Sequence, residues 1–191
     1  MPALLPAELA WYATGRFYET DKGELADYGY FLHLPFPGVP LFDGPRGETT
    51  AHFTFAATPF QARAAENGAL KLGLDPVGEF SLYLQRQPAG TFDDPASFAR
   101  GERIATFRRT SRVVGTTVET SAGQGLVGTN VFSARLLSSA AFGFGGGRHD
   151  LAHHIGRGIT QFGTAAAAPI TPAPAGYKLV LPFTGSAIAL G

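Results

Sequence analysis

The chain has 191 residues, the size of one domain, and its 15 basic and 15 acidic side chains balance to a formal charge of zero. That balance leaves no global field to draw in nucleic acid or an anionic membrane surface. The absence of cysteine excludes disulfides, thiolate metal sites and cysteine nucleophiles. Only 16% of residues are charged, while sixteen Phe, six Tyr and one Trp form a large aromatic store. Those rings require either a big core or a lined cavity.

In chain order, the N-terminal "MPALLPAELAWYATG" lacks the basic start of a signal peptide, and two prolines interrupt its apolar run. No stretch reaches the ~20 apolar residues of a membrane-spanning helix, so the expected setting is cytoplasmic, with no membrane span and no nucleic-acid partner. "PAELAWYA" predicts one or two helical turns. "GRFYET" and "ADYGYFLHL" flank "DKGE", a hairpin turn with Gly23 placed for positive φ. "TTAHFTFAA" alternates, with Phe53 and Phe55 on one face and Thr50, His52 and Thr54 on the other. "FQARAAENGALKLGL" predicts a hairpin turning at Asn67-Gly68. "GEFSLYLQRQ" sets Phe80, Leu82 and Leu84 opposite Ser81, Tyr83 and Gln85.

"DDPASFARGE" predicts a short helix with Asp94 as N-cap, Pro95 at its first position and Gly101 just beyond its end. "ERIATFRRTSRVVGTTVET" supplies one long strand or two shorter ones. "LVGTNVFSARLLSSAAFGF", "GITQFGTA" and "GYKLVLPF" continue the strand pattern. The Ala- and Pro-rich "TAAAAPITPAPAG" reads as an extended loop before the last strand. The result is one all-β domain over residues 1–191: a single antiparallel closed barrel of about eight to ten strands with one or two short helices. Gly29, Gly115 and Gly128 lie within strands, as sharp bending requires.

"GFGGGRHDLAHHIGRGITQFG" followed by "GYKLVLPF" resembles the closing third of the allene oxide cyclase and dirigent barrels. The resemblance implies an eight-stranded calycin-like barrel that holds a hydrophobic small molecule and steers its cyclisation or coupling. It carries over no catalytic residue.

Candidate chemistry comes from the residues themselves. His149 and His153 stand four apart on one face of a strand or helical turn, with His154 pointing elsewhere; His33 and His52 lie on strands. The sequence lacks an HExxH arrangement, so the cluster reads as a polar loop at a barrel end, with no metal site and with His149 open to proton exchange. "GFGGG" is a tight turn and lacks the following long helix of a dinucleotide site. Arg108 shares a face with Ile104; if that face is interior, Arg108 grips an acidic substrate group or stabilises an enolate.

Glu19, Glu79 and Glu119 lie near strand ends as candidate acids or bases, and Tyr18, Tyr28, Tyr30 and Tyr83 supply orienting hydroxyls. The expected catalytic set is Arg108, Tyr83, Glu79, Tyr30 and His149. The expected substrate wall is Phe53, Phe55, Phe80, Leu82, Leu84 and Phe132. The predicted function is cofactor-free cyclisation or isomerisation of a hydrophobic small molecule by control of its conformation. The alternatives are a non-catalytic carrier with the same cavity and a metalloenzyme using His149 and His153; a homo-oligomer stays open.

Overall fold

The computed structural model describes residues 7–67, 70–110, 115–120, 123–125, 128–166 and 168–190, with the backbone alone for 58–67, 70–77, 115–120 and 123–125. Its strands are β1 (Leu9–Thr20), β2 (Leu25–His33), β3 (Phe53–Asn67), β4 (Leu70–Val77), β5 (Glu79–Leu84), β6 (Glu102–Arg109), β7 (Gly115–Thr120), β8 (Gly123–Gly125), β9 (Thr129–Ser139), β10 (Phe142–Phe144), β11 (Gly147–His149), β12 (Gly158–Ala165) and β13 (Tyr177–Ala189). A five-residue helix α1 spans Leu151–Ile155, and 3-10 turns occupy Glu48–Thr50 and Pro95–Ala99. Among the described residues, no helix is long and apolar enough to cross a membrane.

Eight of these strands close an antiparallel barrel in the order β2, β1, β13, β12, β9, β6, β5, β3, with β3 pairing back to β2. The all-β barrel read from the strand spacing is therefore the fold. Long β3 serves two sheets. Phe53 to Ala57 pair with β5, whereas Gln61 to Asn67 pair with β4 and carry the sheet outward through β7 and β8. The Asn67–Leu70 pairing agrees with a hairpin at that point, although Gly68 lies outside the described residues.

Alternation places one face of each barrel strand inward. Trp11, Phe31, Phe80 and Phe107 meet in the middle, the Trp11 ring centroid lying 5.5–6.3 Å from the other three. The indole N–H is satisfied there by Gln161 Oε1 at 3.1 Å. Close packing is enforced at Gly15 and Gly29, which face each other across β1 and β2. A Cβ on either would stand 2.9 or 2.7 Å from Phe55 Cζ, so these glycines make room for that ring. The middle of the barrel is thus filled by side chains.

Three local expectations are corrected. The helical turns expected in "PAELAWYA" give way to strand β1 from Leu9 onward, because Trp11 and Ala13 both enter the core at strand period. The segment after Asp94 is a 3-10 turn, and the Asp94 carboxylate makes no cap bond, pairing with Arg100 at 2.6 Å. His52, Thr54 and Ser81 are buried although they face away from the barrel axis. The segment around Pro95–Ala99 lies over that outer face, with Thr54 Oγ1 donating to Phe98 O and Gln85 Nε2 to Ser97 O. The turn at Gly23 has the expected positive φ of 80°.

Candidate functional site

The two ends of the barrel are built differently. One is plugged. β10 and β11 form a small hairpin that, with α1, lays Phe142, Phe144, Leu151 and Ile155 against Phe36 and Phe53. Phe36 is flanked by Phe142 at 5.6 Å, His149 at 5.1 Å and His154 at 5.2 Å. The "GGGRHDLAHHIG" stretch is therefore not a simple loop. It contains β11, the N-cap Asp150 accepting from Ala152 N–H at 3.0 Å, and one helical turn.

The shared face expected of His149 and His153 is not formed; His149 and His154 instead both pack on Phe36. His149 lies on β11 with Nε2 at 3.0 Å from Phe144 O, and His153 is 83% exposed beside Asp150. His154 is buried, which holds its pKa below the usual histidine value, with His149 and His153 adding to the effect. It is not the rim residue expected. His52 packs on Phe144 at 4.8 Å, while His33 is exposed. Among the described residues, no three His, Asp or Glu side chains converge in a way that could hold a metal ion.

The opposite end carries the charge. Arg109, the last residue of β6, turns into the barrel, and its Nη2 donates to Asp27 Oδ2 of β2 at 3.0 Å. The two side chains are 5% and 16% exposed, so the guanidinium is almost entirely removed from water. Arg109 also lies over the rings of Phe132 and Phe80, at 5.1 and 5.5 Å. Burial raises the Asp27 carboxyl to about 6, an effect opposed in part by the Arg109 charge and hydrogen bond. Burial likewise lowers the Arg109 pKa, against the restoring pull of Asp27.

The condition that would have put Arg108 inside is not met, and Arg109 is the arginine that enters. Arg108 lies outside the barrel and pairs with Glu79 at 2.7 Å, both well exposed at 61% and 46%. The cause is a register shift between Leu82 and Tyr83 in the β5–β6 pairing. It sets both Ile104 and Ala105 at the core, so Ile104 no longer reports the face of Arg108. The informative signal was Phe107: a core ring two residues before Arg109 on the same face.

The other expected site residues separate into groups. Tyr30 and Tyr83 both flank Thr54 on the outer wall, paired with it across β2–β3 and β3–β5. His149 stands at the plugged end, so the structure does not gather Arg108, Tyr83, Glu79, Tyr30 and His149 into one site. Glu19 pairs with Lys178 at 2.8 Å, and the Glu119 side chain lies outside those described. Phe53, Phe55, Phe80, Leu82, Leu84 and Phe132 all enter the core. Phe53 packs under the plug against Phe142 and Phe144, while Phe80 and Phe132 face Arg109.

An open groove of about 410 Å³ crosses the outer wall at β1, β13, β12 and β9, lined by Tyr12, Val131, Phe162 and threonines without a charged side chain. Its lining offers no carboxylate, histidine, lysine or arginine. The charged, aromatic end of the barrel interior is the candidate site. No protein family, curated protein or solved structure matches the chain.

Proposed function

We propose that the barrel seats a hydrophobic small molecule at the Arg109–Asp27 end and catalyses its cofactor-free isomerisation or cyclisation. The observation that carries this reading is the Asp27 carboxyl, raised to about 6 and hydrogen-bonded to an arginine that lies over Phe80 and Phe132. A carboxyl in that range exchanges protons near neutral pH, as general acid–base catalysis requires.

The rings provide an apolar seat, and the pair provides a polar head. Protonated Asp27 delivers its proton to an epoxide or carbonyl oxygen of the substrate. Arg109 steadies the carboxylate that remains. Loss of a C–H proton from the rearranged substrate to that carboxylate restores Asp27, so the product is an isomer of equal mass. Packing against Phe80 and Phe132 limits the flexible substrate to few conformations, where orientation supplies much of the rate gain.

The test is incubation of the full chain with long-chain epoxides and enones, followed by chromatography for products of unchanged mass. Wild-type protein is expected to form one isomer in excess, and Asp27→Asn to lose roughly 100-fold or more in rate. Saturable binding without turnover would instead identify a carrier. Absence of both binding and turnover would overturn the reading.

A further inference from the structure

A second arginine sits in a different aromatic setting, on the outer wall of the barrel. Arg16 of β1 stands opposite Tyr28 of β2, with Tyr18 next along its own outward-facing row. Its guanidinium carbon lies 4.2 Å above the Phe92 ring. Rings crowd both sides. Tyr18 meets Tyr28 at 5.6 Å and Tyr177 at 4.7 Å, while Tyr30 meets Phe42 at 6.1 Å and Phe92 at 6.4 Å.

Phe92 is a fixed platform. Its N–H donates to Glu48 Oε1 at 3.0 Å, and its ring packs on fully buried Phe98 at 4.8 Å. The surrounding carboxylates are already engaged. Glu48 also accepts from Thr91 Oγ1, Asp94 pairs with Arg100, Glu19 with Lys178 and Asp27 with Arg109. Among the described residues, no carboxylate lies within 4.0 Å of the Arg16 guanidinium, which is itself partly buried. Beside it, the Tyr18 hydroxyl is buried against the Arg16 side chain and finds no acceptor for its own proton.

A partly desolvated guanidinium with no carboxylate within 4.0 Å is satisfied by an anion. The planar rings around it favour a flat, aromatic body behind that anion.

We propose that Arg16, with Tyr18, Tyr28 and Phe92, forms a binding site for a small aromatic carboxylate on the outer wall, separate from the barrel interior. The carboxylate takes the two-pronged donor face of Arg16, and the ligand ring packs among Tyr28, Tyr30 and Phe92. This inference does not depend on chemistry at Asp27.

The test is an NMR titration of the full chain with 4-hydroxybenzoate, with benzyl alcohol and inorganic phosphate as comparators. Saturable shifts are expected at Phe92 and Tyr28, with Phe80 and Phe132 unmoved. Arg16→Gln should weaken binding about tenfold or more, and Arg16→Lys, which keeps the charge and stem, by a smaller factor. Circular dichroism of each variant checks that the barrel is intact. Absence of saturable binding, unchanged affinity in folded Arg16→Gln and Arg16→Lys, or shifts centred on Phe80 would overturn the proposal. Benzyl alcohol binding as tightly would show that the carboxylate is not recognised, and phosphate binding as tightly would show that the ring is not; either result overturns it.

Discussion

The plugged end of the barrel and the end that holds Arg109 and Asp27 both carry aromatic rings, yet they treat polarity in opposite ways. At the plug, polar groups are settled locally: His149 bonds to the Phe144 carbonyl, and Asp150 caps α1. At the other end, a charged pair is drawn in among Phe80 and Phe132. Removing two charges from water costs several kcal/mol per ion before their attraction repays it. A hydrophobic pair would hold the barrel as well, so the ionic pair is the feature that stability alone does not demand. The contrast is between an end whose polar groups are bonded locally and an end that buries an ion pair among rings.

The largest effect that sharpens this contrast is expected from Phe53→Ala. Phe53 is 1% exposed and touches Phe36, Phe142 and Phe144, so its loss leaves a cavity that the plug cannot refill. Denaturant unfolding should show a loss of roughly 3–5 kcal/mol. That loss should vary little between pH 4 and pH 7, because no titrating group is removed.

The two ends should also respond to pH with opposite sign. Asp27 has a folded-state pKa raised from 3.8 to about 6, so the folded chain holds more of this proton across that window. Its contribution is present below 3.8 and is lost as pH rises toward 6. The stability difference between wild type and Asp27→Asn should therefore change by roughly 2–3 kcal/mol over that range, with wild type losing ground as pH rises. His154 runs the other way. Its folded pKa is lowered, so the unfolded chain takes up the proton more readily, and stability falls as pH drops through about 6.5. His154→Gln should flatten that acid limb, and the same sign for both variants would break the contrast.

The smallest effect belongs to the outer wall. Arg108→Ala removes one member of an exposed ion pair with Glu79, and the expected change is about 0.5 kcal/mol or less in the same unfolding measurement. A loss of several kcal/mol would mean that Arg108 reaches the interior.

Much of the fold was legible because strand alternation and turn chemistry are local. The Gly23 turn and the inward set of Phe53, Phe55, Phe80, Leu82 and Leu84 follow from period two and glycine's freedom at positive φ. The start of β1 was not legible, since Ala, Glu and Leu favour helix and it is pairing with β13, joined by β2 from Tyr12, that makes "LAWYA" a strand.

The site was less legible still. A one-residue register shift at Leu82/Tyr83 changed the phase that Ile104 was read to set, and so exchanged Arg108 for Arg109. Asp27 lies between Ala26 and Tyr28 with no motif around it. Its value comes from meeting a residue 82 positions away, a proximity that spacing along the chain does not encode.

The most direct test of this contrast between the two ends is fluorine NMR of protein labelled with fluorophenylalanine, titrated with a long-chain epoxide. Phe80 and Phe132 are expected to shift and saturate, while Phe53 and Phe142 hold their positions. Saturating shifts at Phe53 and Phe142 with Phe80 and Phe132 unmoved would contradict the assignment of the Arg109–Asp27 end as the binding site.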